Sequence, residues 1–221
     1  MSDVVNARRP YDSRRRREQA AQTRRDIETA ANRLFRERGY VGTSMPAIAS
    51  SAGVVVETIY RTFGSKAGLF KAIIEAALAG GPERAETPPG QRPAIRAVIE
   101  EADPRRKLEL YADTQPGVHG RSGQLYRVLV GAADSDPELK AVLDGLETQR
   151  LHGLGGLAAQ LVESGELRSD LSVDDARDLI WTLCSTAVHD LLVRQCSWSS
   201  ERYRDWLAAA LKRELLNESA L

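Results

Sequence analysis

Three glycines, Gly39, Gly53 and Gly64, constrain this 221-residue chain more than any other feature, because between them the apolar residues keep a helical period over runs too short to fold alone. Ahead of Gly39, the residues Ile27, Ala30, Ala31, Leu34 and Phe35 form the stripe of an amphipathic helix that begins at Arg24. Arg36 and Arg38 in its last turn and Gly39 just beyond are the expected stop. Ser44 and Pro46 then open a short helix, Met45–Ala52, whose inward residues are Ile48 and Ala49. Gly53 breaks it, as a residue without a Cβ can take the left-handed backbone of a tight turn. A second short helix, Val55–Thr62, turns Ile59 and Phe63 inward. After Gly64-Ser65-Lys66, a longer helix from Ala67 carries Leu69, Phe70, Ile73, Ile74, Ala77 and Leu78. A longer helix followed by two short ones hinged on a glycine is the plan of a helix-turn-helix, whose last helix fits a DNA major groove.

Charge is distributed to match. The net charge of zero conceals a front part, through Lys71, with fourteen basic and seven acidic residues, and a remainder with seventeen basic and twenty-four acidic. A basic front points to a polyanion, and an acidic remainder is repelled by one. Residues 1–22, with Arg14, Arg15, Arg16 and Arg17 in succession, are expected to form a flexible basic arm that either aids solubility or contacts phosphates and the minor groove. Gly80 to Gln91 is rich in Gly and Pro, and no helix is expected there. Beyond it the pattern is helical, with loops expected at Gly117–Gly123 and around Ser135, Gly165 and Ser197. Capping boxes are expected at Ser135-x-x-Glu138 and Ser172-x-x-Asp175. No alternating strand pattern is present, so the fold class is all-α: a three-helix helix-turn-helix domain (23–66), a connecting helix (67–79) and a larger helical domain (80–221).

The residues Gly39-Tyr40-x-x-Thr43-Ser44-Met45-x-x-Ile48-Ala49-x-x-Ala52-Gly53-Val54-x-x-x-Thr58-Ile59-Tyr60-x-x-Phe63-x-x-Lys66-x-x-Leu69-Phe70 resemble the DNA-binding signature of the tetracycline-repressor (TetR) family. The resemblance covers about Thr23 to Ile74, and beyond it is limited to length and helical character. It implies a regulator, usually a repressor, released from a palindromic double-stranded DNA operator by a small-molecule effector. It implies phosphate contacts by Thr43, Ser44, Tyr60 and Lys66, with Arg24, Arg25 and Arg61 as further candidates, and base-edge contacts by Val55, Val56, Glu57 and Thr58. Two departures stand out: Val55 cannot cap its helix, and Glu57 stands where a small residue is common. Glu57 either accepts a hydrogen bond from cytosine N4 or favours the positive helix N-terminus.

The resemblance also implies a homodimer formed by the last two helices. The stripes Ala176–Leu192 and Tyr203–Leu211 suit that role or, alternatively, the core of one subunit. Candidate pocket residues are the polar and aromatic side chains set among apolar ones: Tyr111, His119, Tyr126, His152, Trp181 and Cys184. His189-Asp190 reads as a surface pair.

Enzymatic readings find little support. Gly153-x-Gly155-x-x-Ala158 resembles a dinucleotide fingerprint, but it lacks the preceding strand that motif requires. The three histidines lack metal-ligand spacing, the two cysteines suit neither a disulfide framework nor zinc, and no cofactor is expected. The other alternative is a helical interaction module that has lost DNA binding. No apolar run approaches a membrane span, so a cytoplasmic protein is expected.

Overall fold

The computed structural model describes residues 10–217. It divides into two compact units, 1–73 and 74–221, and the division falls within a single helix. Among the described residues there are helices and one isolated bridge between Leu167 and Leu216, and no strand. No helix among them is long and apolar enough to cross a membrane.

The smaller unit comprises α1 (Pro10–Arg38), α2 (Met45–Ala52), α3 (Val56–Phe63) and the first half of α4 (Lys66–Ala79). Helix α1 corrects the expectation of a flexible arm with a helix starting at Arg24. It begins at Pro10, and Arg14 to Arg17 are helical and exposed. Arg14 pairs with Glu18 at 2.9 Å, and Gln22 donates to Asp26 at 2.8 Å, both one turn apart. Arg, Gln, Glu and Ala are good helix formers, and extending a helix already nucleated by packing costs far less than starting one. Polarity therefore argued against a core here, not against a helix. The part of the arm in residues 1–9 lies outside the described residues.

Ile27, Ala31, Leu34, Phe35, Ile48, Ile59, Leu69 and Phe70 make the core of this unit. Phe35 stacks on Tyr40 at 5.7 Å, and Phe70 meets both rings edge-on at 5.0 and 5.7 Å. Lys66 lies 4.1 Å from the Tyr40 ring centroid and donates from Nζ to the Tyr40 carbonyl at 2.6 Å, locking the entry of α4 onto the turn before α2.

The larger unit adds α5 (Pro82–Ala85), a 3-10 turn (Pro89–Gln91), α6 (Pro93–Glu100), α7 (Pro104–Ala133), α8 (Pro137–Glu163), α9 (Val173–Leu183), α10 (Thr186–His189), a π-helical turn (Asp190–Gln195) and α11 (Ser200–Leu215). Three expectations fail here. The Gly/Pro-rich connection carries α5 and the 3-10 turn, because its prolines sit at first-turn positions where a missing N–H costs nothing. Helix α7 runs unbroken through Pro116 and the stretch Gly117–Gly123, with Gln115, His119 and Ser122 buried. Packing of this central helix on its neighbours overrides the local preference for a loop. Helix α8 is capped by Asp136, which accepts from Glu138 N–H (2.9 Å) and Leu139 N–H (3.2 Å), not by Ser135. The box at Ser172 and Asp175 forms with both reciprocal bonds.

Buried Lys107 ties α6, α7 and α8 together. Its ammonium donates to the carbonyls of Val98 (3.1 Å) and Ile99 (3.2 Å) and to Gln160 Oε1 (2.8 Å), so all three protons are used. Burial lowers its pKa, and this bonding keeps the charge tolerable. The residues Ala176, Ile180, Tyr203, Leu207 and Leu211 belong to the core of this one subunit, together with Leu108, Ala158 and Leu161. Most of the Tyr203–Leu211 stripe thus faces this subunit's own core, whereas the Ala176–Leu192 stripe is divided: Ala176 and Ile180 are buried, and Ala187 and Leu191 are exposed.

Candidate functional site

The turn between α2 and α3 is built as its sequence requires. Ser44 caps α2, its Oγ accepting from Ala47 N–H at 3.3 Å. Gly53 takes the left-handed conformation (φ 66°), and Val54 N–H closes the turn onto the Ala49 carbonyl at 3.0 Å. Val55 stands at the N-cap of α3 with extended backbone and no side-chain cap, so the first N–H groups of α3 face outward without a competing side chain. Ile59 is fully buried beneath α3, while Glu57, Tyr60 and Arg61 share its opposite, exposed face. Val56 and Thr58 are half-buried, and Tyr60 is 48% exposed.

Thr43 does not belong to this face. It is fully buried, and its hydroxyl lies within hydrogen-bond distance of the carbonyls of Gly39 (2.8 Å) and Leu34 (3.1 Å). It closes the C-terminus of α1, where carbonyls need donors, and cannot reach a phosphate. Lys66 is likewise committed first to Tyr40. Val41, which sequence reasoning passed over, is 82% exposed beside Ser44; an apolar residue in the loop before a capped helix gave no signal by itself. Arg24, on α1, lies 4.6 Å over the Phe63 ring and pairs with Glu28 at 2.9 Å.

In the larger unit, the candidate pocket residues fall into two groups and one outlier. Tyr126 and Trp181 converge on Glu147: the Tyr126 hydroxyl donates to one carboxylate oxygen and the indole N–H to the other at 3.0 Å. Arg150 completes this knot, donating to the Trp181 carbonyl at 2.8 Å and lying 3.8 Å from Glu147. His119, 6% exposed, stacks on His189 at 4.5 Å, and Tyr203 meets His189 edge-on at 4.9 Å and His119 at 6.1 Å. Cys184 is buried, its thiol pushed up to about 12 by burial, so it is no nucleophile. Tyr111 is half-buried against the same core, its phenol raised by burial. His152 is exposed and joins neither group.

His189 and Tyr203 were missed. His189-Asp190 is not a surface pair: Asp190 accepts two bonds from Arg127 (2.9 and 3.0 Å), and His189 turns inward. The available signal was a histidine and a tyrosine within otherwise apolar helical stripes. Burial, then the neighbouring His189, lowers the pKa of His119 to about 3. Burial also lowers that of His189, against the pull of Asp190. Both rings are neutral near pH 7. Two open surface grooves, one around Arg96 and Glu100 and one around Glu109 and Arg204, are lined by ion-paired side chains and touch none of these residues.

A capped helix, a glycine turn and a second helix with its polar face outward form a helix-turn-helix, an arrangement that can present one helix to a DNA major groove. Residues 27–73 match the model of the bacterial regulatory proteins of the tetR family, so the resemblance read from the sequence extends to a family match over the helix-turn-helix. It is 34% identical over 87 residues to the uncharacterized HTH-type transcriptional regulator YezE of Bacillus subtilis, covering 35% of this chain and 45% of YezE. It is 27% identical over 190 residues to the HTH-type transcriptional repressor BepR of Brucella suis, covering 81% and 85% of the two chains. Among solved structures, the transcriptional regulator FadR of Bacillus subtilis in complex with stearoyl-CoA superposes with a TM-score of 0.67 at 22% identity, covering 86% of this chain and 97% of FadR.

Proposed function

We propose that the protein is a cytoplasmic homodimer that binds a palindromic operator and represses transcription until a small molecule releases it. One observation carries the reading: Glu57, Tyr60 and Arg61 share an exposed face of α3 whose opposite side is anchored by buried Ile59. Such a face enters a major groove without disturbing the core. Ser44, Tyr60 and Arg61 contact phosphates, joined by Arg14, Arg15, Arg16 and Arg17 on the basic end of α1. The uncapped N-terminus of α3 suits a phosphate or base acceptor. Val55, Val56, Glu57 and Thr58 read base edges. Lys66, which donates to the Tyr40 carbonyl, adds its positive charge toward phosphate. Thr43, buried and bonded to the Gly39 carbonyl, takes no part in this contact.

The larger unit senses the effector. BepR is named a repressor and FadR was solved with stearoyl-CoA, and both lend support to ligand-released repression. Tyr111, His119, Tyr126, Trp181 and Cys184 contribute to the pocket or its walls, and His152 stands apart. The effector binds more tightly to a conformation with low operator affinity, so operator affinity falls as that population grows. Dimerisation uses the outward faces of the last helices, where Leu191 and Ala209 are exposed.

The test is a gel shift with DNA flanking the gene at rising salt. Affinity should fall steeply and linearly on a log–log scale. Replacing Tyr60 and Arg61 should weaken binding to all sequences alike, whereas replacing Val55 to Thr58 should change the preferred sequence. An affinity indifferent to both replacements would end the DNA-binding assignment.

A further inference from the structure

We infer that His119, His189 and Tyr203 form the recognition point for an uncharged, hydroxyl-bearing organic molecule, a phenol or an alcohol on an apolar body. This rests on the reading of the larger unit as a sensor and specifies what it senses.

The first support is the unmet hydrogen-bonding capacity. Both ring nitrogens of His119, Nδ1 of His189 and the hydroxyl of Tyr203 are buried and make no hydrogen bond of good geometry among the described residues, although the Cys184 backbone pulls on His119 and Asp190 on His189. Nδ1 of His189 stands 3.5 Å from Asp190, at the outer limit of a hydrogen bond, and Asp190 pulls on its proton. Buried polar side chains are almost always paired, and four such atoms in one contact cluster are unusual. They come from three segments, α7, α10 and α11, so chain proximity does not explain their meeting.

The second support is chemical complementarity. A neutral imidazole offers one donor and one acceptor, and a phenol hydroxyl offers both. A ligand hydroxyl, itself donor and acceptor, can satisfy such a set in either tautomer. A carboxylate finds no free positive charge, since Arg150 is engaged with Trp181 and Glu147 and burial holds the histidines neutral. A cation finds no free carboxylate, since Asp190 is held by Arg127 in two bonds and faces Arg194 at 3.5 Å. Tyr203 belongs to an apolar core with Cys184, Ile180 and Leu207, and Trp206 packs against it, which suits an apolar body.

The third support is the backbone that carries His189. Helix α10 is a single turn and passes directly into the π-helical turn Asp190–Gln195, a geometry that is frequent at functional sites. The three rings are in mutual contact, so a ligand enters by displacing His189 with this segment.

The full chain, labelled with 15N-histidine, would be titrated with phenol, 4-ethylphenol, 1-naphthol and cyclohexanol, with ethylbenzene, benzoate and benzyltrimethylammonium as comparisons. At least one hydroxyl compound should bind saturably and shift the imidazole resonances of His119 and His189. It should bind at least ten-fold more tightly than its match without the hydroxyl. Tyr203→Phe, which removes one oxygen and keeps the ring, should weaken hydroxyl compounds at least five-fold and leave ethylbenzene unchanged. His119→Phe should act likewise and provides a second variant. The inference is overturned if no hydroxyl compound binds saturably, if ethylbenzene, benzoate or the ammonium compound binds best, or if neither variant changes affinity. Failure of the regulatory reading looks different: a phenol binds and shifts both histidines, but operator affinity in the gel shift stays constant.

Discussion

The cores of the two units handle buried polar groups in opposite ways. In the smaller unit, Thr43 is fully buried and its hydroxyl bonds to the end of α1, while Lys66 caps the Tyr40 carbonyl over an aromatic cluster. In the larger unit, Lys107 is satisfied in the same manner, but His119, His189 and Tyr203 make no hydrogen bond of good geometry through four buried polar atoms. A satisfied network rigidifies and specifies one arrangement, whereas an unsatisfied one raises the energy of the conformation that holds it. The difference suits the proposed roles, a DNA-reading head that must keep its shape and a sensor that must exchange one shape for another.

The strongest challenge to this comparison is removal of an aromatic ring from the smaller unit. Phe70→Ala should cost about 3–5 kcal/mol, seen as a large loss of thermal stability and of DNA binding together. A loss under 1 kcal/mol would show that the Phe35–Tyr40–Phe70 cluster is not the brace inferred here. A paired hydroxyl deletion comes next. Thr43→Val should destabilise by about 1–3 kcal/mol, because the carbonyls it served are left without a donor. Tyr203→Phe should be neutral or slightly stabilising in the ligand-free protein, because its hydroxyl has no bond to lose. Equal costs for the two in urea unfolding would erase the contrast.

Acid should act on the larger unit through its histidines. His119 has a native pKa of about 3 against an ordinary value of 6.5, so below pH 6.5 the unfolded chain takes up a proton that the native one refuses. Its stabilising contribution is complete above pH 6.5 and is lost as pH falls toward about 3, with a slope of at most about 1.4 kcal/mol per pH unit. Urea titrations across that range should show the decline, and His119→Phe should flatten it. The smallest effect on stability belongs to the basic end of α1. Replacing Arg14 to Arg17 with Ala should leave unfolding nearly unchanged, while the salt slope of operator binding falls by about 0.9 for each phosphate contact removed.

Much of the smaller unit was legible in the chain. The bounds of α2, its cap Ser44, the left-handed Gly53 and the missing cap at Val55 depend on residues a few positions apart, and local chemistry decides them. The same holds for the Ser172–Asp175 box. The start of α1 at Pro10 was misjudged because a polar segment adjoining a packed helix inherits its nucleation. The helix through Gly117–Gly123 was not legible because local breakers say nothing of the neighbours that hold α7.

By itself, then, the order of residues determined an all-helical chain with a glycine-hinged reading head on a basic front, since helix period, caps and charge are properties of neighbours in sequence. Tertiary structure alone decided that Thr43 is a brace instead of a contact, that the Tyr203–Leu211 stripe faces inward while Leu191 of the earlier stripe stays exposed, and that His119 meets His189 and Tyr203. Those outcomes depend on which faces of distant helices are pressed together, and an apolar stripe records that it must be covered without recording by what.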